Sequence, residues 1–153
     1  MSSPSLIHDA LVAAPLLTGL EPAAFALLES ESIVRNFATG EVVVSEGDPG
    51  HSFFILAEGD VEVVKRDGHR GETLLARLHR GTFFGEMCVV NPVPRAATVR
   101  ALVPVTAVEV NAATLYHLHT KMPAQYAIVL LNLARDMARR LRSLDETFAA
   151  RAL

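Results

Sequence analysis

Thr82-Phe83-Phe84-Gly85-Glu86-Met87-Cys88-Val89-Val90-Asn91-Pro92-Val93-Pro94-Arg95-Ala96-Ala97-Thr98 is the stretch on which the reading of this chain turns. It has the makings of a phosphate site. Gly85 lets the backbone approach a ligand with no Cβ in the way. Glu86 to Val90 can form one short helical turn, whose free N–H groups and positive dipole end face an anion. Arg95 adds a fixed charge with a planar fork of donors suited to two phosphate oxygens. Glu86 is out of place beside a phosphate unless the ligand also presents a hydroxyl, as a ribose does. The carboxylate then accepts a hydrogen bond while Arg95 holds the charge. The other use of Arg95 is a structural ion pair with Glu86 itself.

Phe84-Gly85-Glu86, followed ten residues after the glycine by Arg95 in Pro94-Arg95-Ala96-Ala97-Thr98, resembles the phosphate-binding cassette of the cyclic nucleotide-binding domain. The likeness is close to the cassette of protein kinase A regulatory subunits and looser to that of bacterial catabolite activator proteins. It implies that Gly85 and the first residues of the short helix give backbone N–H groups to a cyclic phosphate. It further implies that Glu86 accepts from the ribose 2′-hydroxyl and that Arg95 pairs with the phosphate. The backbone of Met87, Ala96 and Ala97 lies alongside, and Phe84, Cys88 and Pro94 complete the ligand-binding stretch. Relatives that prefer cGMP tend to carry Thr directly after the arginine. Ala96 has no hydroxyl, so cAMP is the expected ligand ahead of cGMP.

Composition fits an ordinary folded unit spanning residues 1–153. Half the residues are apolar, enough to bury a core, and the formal net charge of −3 gives no push toward nucleic acid or an anionic membrane. A single cysteine, Cys88, excludes an internal disulfide framework and any multi-cysteine metal site. Cys88 reads as a small buried hydrophobe. There is no basic residue ahead of the first apolar stretch and no run long enough to span a bilayer, which makes the cytoplasm the expected location.

The chain divides into three parts. Over residues 5–30, Leu6, Leu11, Leu16, Leu17, Leu20, Phe25 and Leu28 recur at helical spacing, interrupted by Pro15, Gly19 and Pro22. Over 32–110 the period shortens to that of strands. Eight of the nine glycines fall between Gly40 and Gly85, and turns are marked at Gly47-Asp48-Pro49-Gly50 and Arg66-Asp67-Gly68. Short strands punctuated in this way predict a sandwich or jelly roll. The family builds its β-roll from a comparable pattern, with Glu46-Gly47-Asp48-Pro49-Gly50 and Glu58-Gly59-Asp60 as matching turns. The expected fold is therefore mainly β: a jelly-roll-like β-roll with N-terminal helices, a phosphate-binding helix in the cassette at 82–98, and a long C-terminal helix.

That last helix is expected over 124–150. Ala127, Leu130, Ala134, Met137, Leu141, Leu144 and Phe148 are spaced 3, 4, 3, 4, 3, 4, the pattern of a coiled-coil seam. The expected partner is the same helix of a second copy, with Leu131 and Leu133 left to touch the β-roll. Packing of the stripe on its own β-roll is the alternative. Arg135, Asp136, Arg139, Arg140, Arg142, Asp145 and Glu146 read as the solvated surface. The run Asp136 to Leu141 resembles part of the dimerisation helix of catabolite activators. There, hydroxyl residues further along contact the base, whereas the matching positions here are Leu144 and Asp145. An apolar base contact through Leu141 or Leu144 is expected instead, with Arg135 or Arg139 as hydrogen-bonding partners.

Three functions compete. One is a stand-alone sensor that binds a cyclic mononucleotide and signals to an unidentified partner protein through its long helix. A second is a dimeric interaction module with a vestigial pocket or a cyclic dinucleotide ligand. The third is a metal-dependent jelly-roll enzyme, for which His117 and His119 are the only His-x-His pair. In a helix, residues two apart point to different faces, and no carboxylate follows at a suitable distance. No catalytic residue, metal or cofactor is expected. The long helix is followed by no recognition helix before Leu153, so no nucleic-acid partner is expected either.

Overall fold

A computed structural model describes residues 3–69 and 71–152. The chain opens with helix α1 (Ser3–Ala13), a 3-10 turn at Pro15–Leu17 and helix α2 (Pro22–Glu31). Pro22 stands in the first turn of α2, where its missing N–H loses no bond. Eight strands follow: β1 (Ile33–Phe37), β2 (Val42–Val44), β3 (Ser52–Glu58), β4 (Val61–Asp67), β5 (Gly71–Leu78), β6 (Phe83–Phe84), β7 (Thr98–Ala101) and β8 (Val105–Asn111). Helices α3 (Ala112–Lys121) and α4 (Pro123–Ala152) end the described chain. The strands make two four-stranded antiparallel sheets, β1-β8-β3-β6 and β2-β7-β4-β5, so the fold is the expected β-roll with flanking helices.

Two apolar clusters share the first sheet. In β3, Phe53 and Ile55 pack against the helices while Phe54 and Leu56 point into the roll. Strand β8 divides in the same way, with Val108 and Val110 toward the helices and Val105 and Ala107 toward the roll. The alternation of side chains along a strand thus serves two cores, which explains why Phe53 to Leu56 is an unbroken apolar run. Leu11, Leu16, Leu17, Leu28, Leu115 and Leu118 supply the helical side of the outer cluster. Phe37, Val61, Phe84, Val99 and Ala101 complete the inner one.

The chain pivots into its last helices at Asn111, whose side chain accepts from Ala113 N at 2.9 Å and caps α3. The base of α4 is then pinned to the N-terminal helices. Asn132 Nδ2 donates to Leu16 O at 3.0 Å and Thr18 O at 2.9 Å, and Gln125 Oε1 accepts from Glu21 N at 2.8 Å. The inward face is Val129 with Leu133, supported by Tyr126, Ile128 and Met137. This corrects the expectation for Leu131, which is exposed, and places Leu133 in the helix-facing cluster. The alternative in which the stripe packs on its own roll does not hold: Met137 meets the helix-facing cluster, Ala127 and Ala134 are exposed, and Leu141, Leu144 and Phe148 are 62%, 65% and 77% exposed.

Candidate functional site

Two local devices present the cassette. The first is β6, only two residues long, anchored by Phe84 against its cross-strand partner Phe54 with ring centroids 5.2 Å apart. It delivers Gly85 in the left-handed region (φ 82°), from which Glu86–Val89 wind into a 3-10 turn. The turn starts at the expected place, and the amides of Glu86 and Met87 open it. The second device is the Glu46–Gly50 turn, which grips the arginine segment from the other side. Arg95 N donates to Asp48 O at 2.8 Å, Gly47 N donates to Arg95 O at 2.9 Å, and Pro49 bridges to Pro94.

Arg95 lies in the gap these devices leave. A Cβ on Gly85 would come within 2.5 Å of Arg95 Nη1, and one on Gly50 would come within 3.1 Å of Arg95 Nε. The guanidinium therefore occupies a slot that two glycines keep open. It sits 6.0 Å from the Phe54 ring centroid and makes one long hydrogen bond, 3.5 Å, to Gly85 O. Among the described residues no carboxylate pairs with it. Most of the Arg95 fork is thus available to an anion.

Glu86 is 3% exposed, and its partner is Arg140 of α4, with Nη1 2.5 Å from Oε1. The ion pair between Glu86 and Arg95, open on sequence grounds, is replaced by this one. Arg140 also reaches Asp136 one turn back, 2.9 Å from Nη2 to Oδ2. Two residues assigned to the solvated helix surface therefore tie α4 to the cassette. Cys88 is half-buried beside them, and burial pushes its thiol above the ordinary value, with the Arg95 charge opposing and Glu86 reinforcing.

These groups border a cavity of about 560 Å³. Of the residues expected in the site, Phe84, Gly85, Glu86, Met87, Cys88, Pro94, Arg95, Ala96 and Ala97 line it; Arg135, Leu141 and Leu144 do not. Successive helical residues turn by roughly 100°, so Leu141 and Arg135 face away from the cassette line set by Arg140. Leu144 is four residues past Arg140, on nearly the same line but one turn beyond the cavity. Sequence reasoning missed Arg140 and Gly50, and also the apolar walls Val44, Val63, Leu75, Ala76, Leu78, Val93 and Val99. The polar side-chain atoms are gathered at the cassette end, opposite an aliphatic wall. Such a division suits a ligand with an anionic, hydroxylated end and a flat apolar one.

His117 and His119 take separate partners. His117 Nδ1 is 2.7 Å from Glu31 Oε1, while the His119 ring lies against Tyr126 at 4.9 Å. Among the described residues no group of three potential ligands is placed to hold a metal ion, and no helix is long and apolar enough to cross a membrane.

The profile of the cyclic nucleotide-binding domain matches residues 34–121. The cAMP-dependent protein kinase regulatory subunit of Mycosarcoma maydis is 39% identical over 97 residues, covering 63% of this chain and 18% of that protein. A CRP-like cAMP-activated global transcriptional regulator of Mycobacterium tuberculosis is 29% identical over 143 residues, covering 94% of this chain and 62% of that protein. The chain spans less than two thirds of the length of both relatives. Among solved structures, a cyclic nucleotide-binding domain from Methylobacillus flagellatus shares the fold, with a TM-score of 0.82 at 22% identity over 98% of this chain and 86% of that one. The catabolite activator protein of Thermus thermophilus gives a TM-score of 0.76 at 29% identity, covering 89% of this chain and 62% of that one. With the family profile matching more than half of its length, around the cassette just described, the chain belongs to the cyclic nucleotide-binding domain family.

Proposed function

We propose that the protein is a non-catalytic cytoplasmic sensor that binds a cyclic mononucleotide, cAMP in preference to cGMP, and passes the signal to a partner protein through α4. The observation that carries this reading is Arg95, its main chain held by Gly47 and Asp48 and its guanidinium facing the Gly85 turn with no carboxylate on it among the described residues. Beside it stands a buried carboxylate, Glu86, that keeps one oxygen on Arg140 and has a second with which to accept from a ribose hydroxyl. The base then lies on the aliphatic wall of Val44, Val63, Leu75 and Val99. Ala96 offers no hydroxyl to a guanine amino group, which favours adenine by about 1 kcal/mol. The kinase subunit and the transcriptional regulator are both named for cAMP, which agrees.

Signalling follows from the Glu86–Arg140 contact. A ribose bound at Glu86 fixes the cassette turn, and the turn fixes α4 through Arg140. Coupling of about 1–3 kcal/mol between ligand and helix position is enough for a sensor. The exposed line Leu141, Leu144 and Phe148 then meets a second copy, giving a homodimer.

The alternative is an interaction module with a vestigial pocket or a cyclic dinucleotide ligand. A second phosphate needs a second free cation, and Arg140 is engaged by two carboxylates. Equilibrium dialysis of nucleotide-free protein against cAMP, cGMP, 5′-AMP and a cyclic dinucleotide separates the readings. Saturable retention of cAMP above the others is expected. Retention of the dinucleotide alone, or of none, transfers the function to the module.

A further inference from the structure

Asp136 and Arg140 are four residues apart on α4, a spacing that is usually an exposed helix pair of small consequence. This pair differs in its surroundings. The Asp136 side chain is 20% exposed, and its Oδ2 has no solvent access and no aligned hydrogen bond. That oxygen lies 2.9 Å from Arg140 Nη2, while Arg140 Nη1 lies 2.5 Å from Glu86 Oε1. Arg139 stands 3.9 Å from the other Asp136 oxygen. One rigid guanidinium plane is thus held at both ends by carboxylates, one from the helix and one from the cassette. Held at a single end, a half-exposed arginine samples many rotamers; held at both, it has given up that freedom before any ligand arrives.

We propose that Asp136 is a positioning residue for recognition of the ribose. By fixing Arg140 Nη2 it keeps Nη1 on Glu86 Oε1, so that Glu86 Oε2 is left as the oxygen that accepts from the ligand's 2′-hydroxyl. The proposal rests on the cyclic nucleotide reading above and goes beyond it by assigning a role to a helix residue that does not touch the ligand. The charge of Asp136 acts on Arg140 where water screens it poorly, which is what gives an intrahelical pair an effect at the cassette.

Calorimetric titration of the full chain with cAMP and with 2′-deoxy-cAMP tests the idea, because the deoxy ligand lacks the one hydroxyl through which Asp136 is said to act. Asp136→Asn keeps the shape and removes the charge. It should weaken cAMP about five- to tenfold while leaving 2′-deoxy-cAMP within about twofold of the parent. Asp136→Glu should recover most of the loss, and Glu86→Gln should abolish the preference for cAMP over the deoxy ligand. Equal weakening of both ligands by Asp136→Asn would reduce Asp136 to a structural residue and overturn the proposal, as would an unchanged ratio. The pocket reading survives either result as long as Glu86→Gln still abolishes the preference. Failure of the parent protein to bind cAMP at all removes both.

Discussion

A side chain on Gly85 and the guanidinium of Arg95 would compete for the same space, and on the proposed reading that slot is the anion site. A methyl at position 85 meets Arg95 Nη1 at 2.5 Å and Ser52 O at 3.2 Å, from a backbone at φ +82° that only glycine adopts readily. Gly85→Ala should lower stability by about 1 kcal/mol, since the nearest atom is the far end of a flexible side chain. Cyclic nucleotide affinity should fall further, by tenfold or more, because the displaced atom is the one proposed to meet the phosphate. Denaturant midpoints and titration of the same sample check both halves; a stability loss without a binding loss would place the phosphate elsewhere. The glycine, the glutamate and the arginine were readable from the chain because the cassette is contiguous and its spacing is local. Gly50 was not, because its closeness to Arg95 arises only when the Glu46–Gly50 turn bridges to Pro94.

At the scale of elements, α4 is two helices in one. Its first half is committed to the fold through Val129, Leu133 and Asn132, while its second half touches the roll through Arg140. Arg140→Gln leaves the buried Glu86 carboxylate without its cation, and stability should fall by about 1–3 kcal/mol. Hydrogen exchange should quicken in α4 from Asp136 onward and stay unchanged around Val129. Uniform exchange along the whole helix would deny that Arg140 is the tie. The heptad spacing of α4 was plain in the sequence, yet spacing does not say which side of a helix meets its own fold. Arg140 was therefore read as surface. Strand β5 adds to the cavity wall from an exposed edge: Leu74 and Leu75 are exposed, and Leu75, Ala76 and Leu78 border the cavity.

The β2-β7-β4-β5 sheet carries its own electrostatic element. Arg100 bonds both Glu62 and Glu72, and the hydrogen bonds to Glu72 hold that carboxyl below its usual range against a smaller desolvation effect, with the charges of Arg100 and Arg66 adding to them. A depressed carboxyl stabilises the fold above its unfolded-state pKa, and that contribution disappears as the pH falls through the lower folded-state value. The stability gap between the parent and Glu72→Gln should therefore be open at neutral pH and close on acidification through the lowered folded-state value of Glu72. Urea midpoints across that range give the answer, and a gap independent of pH would contradict it.

For the whole molecule, two cores share one sheet, the helical cluster outside and the roll inside, with β3 and β8 lining both. The fold class was legible because the change of period at residues 32 and 110 matches the strand and helix boundaries, and because glycines mark the turns. The cavity was legible only in part, since its walls come from strands far apart in sequence. On the proposed reading, the exposed line Leu141, Leu144 and Phe148 of α4 meets a second copy. Leu141→Glu should convert dimer to monomer in sedimentation; a parent that is already monomeric, or a variant that keeps dimer mass, would remove the seam.

The proposed function depends on a cyclic nucleotide meeting Arg95, and calorimetric titration of verified nucleotide-free protein with cAMP, beside Arg95→Ala, addresses that directly. Saturable binding that weakens in the variant by about 2–5 kcal/mol is the expected result, since the phosphate loses its charged partner. Loss of less than tenfold, or no binding by the parent protein, would contradict it.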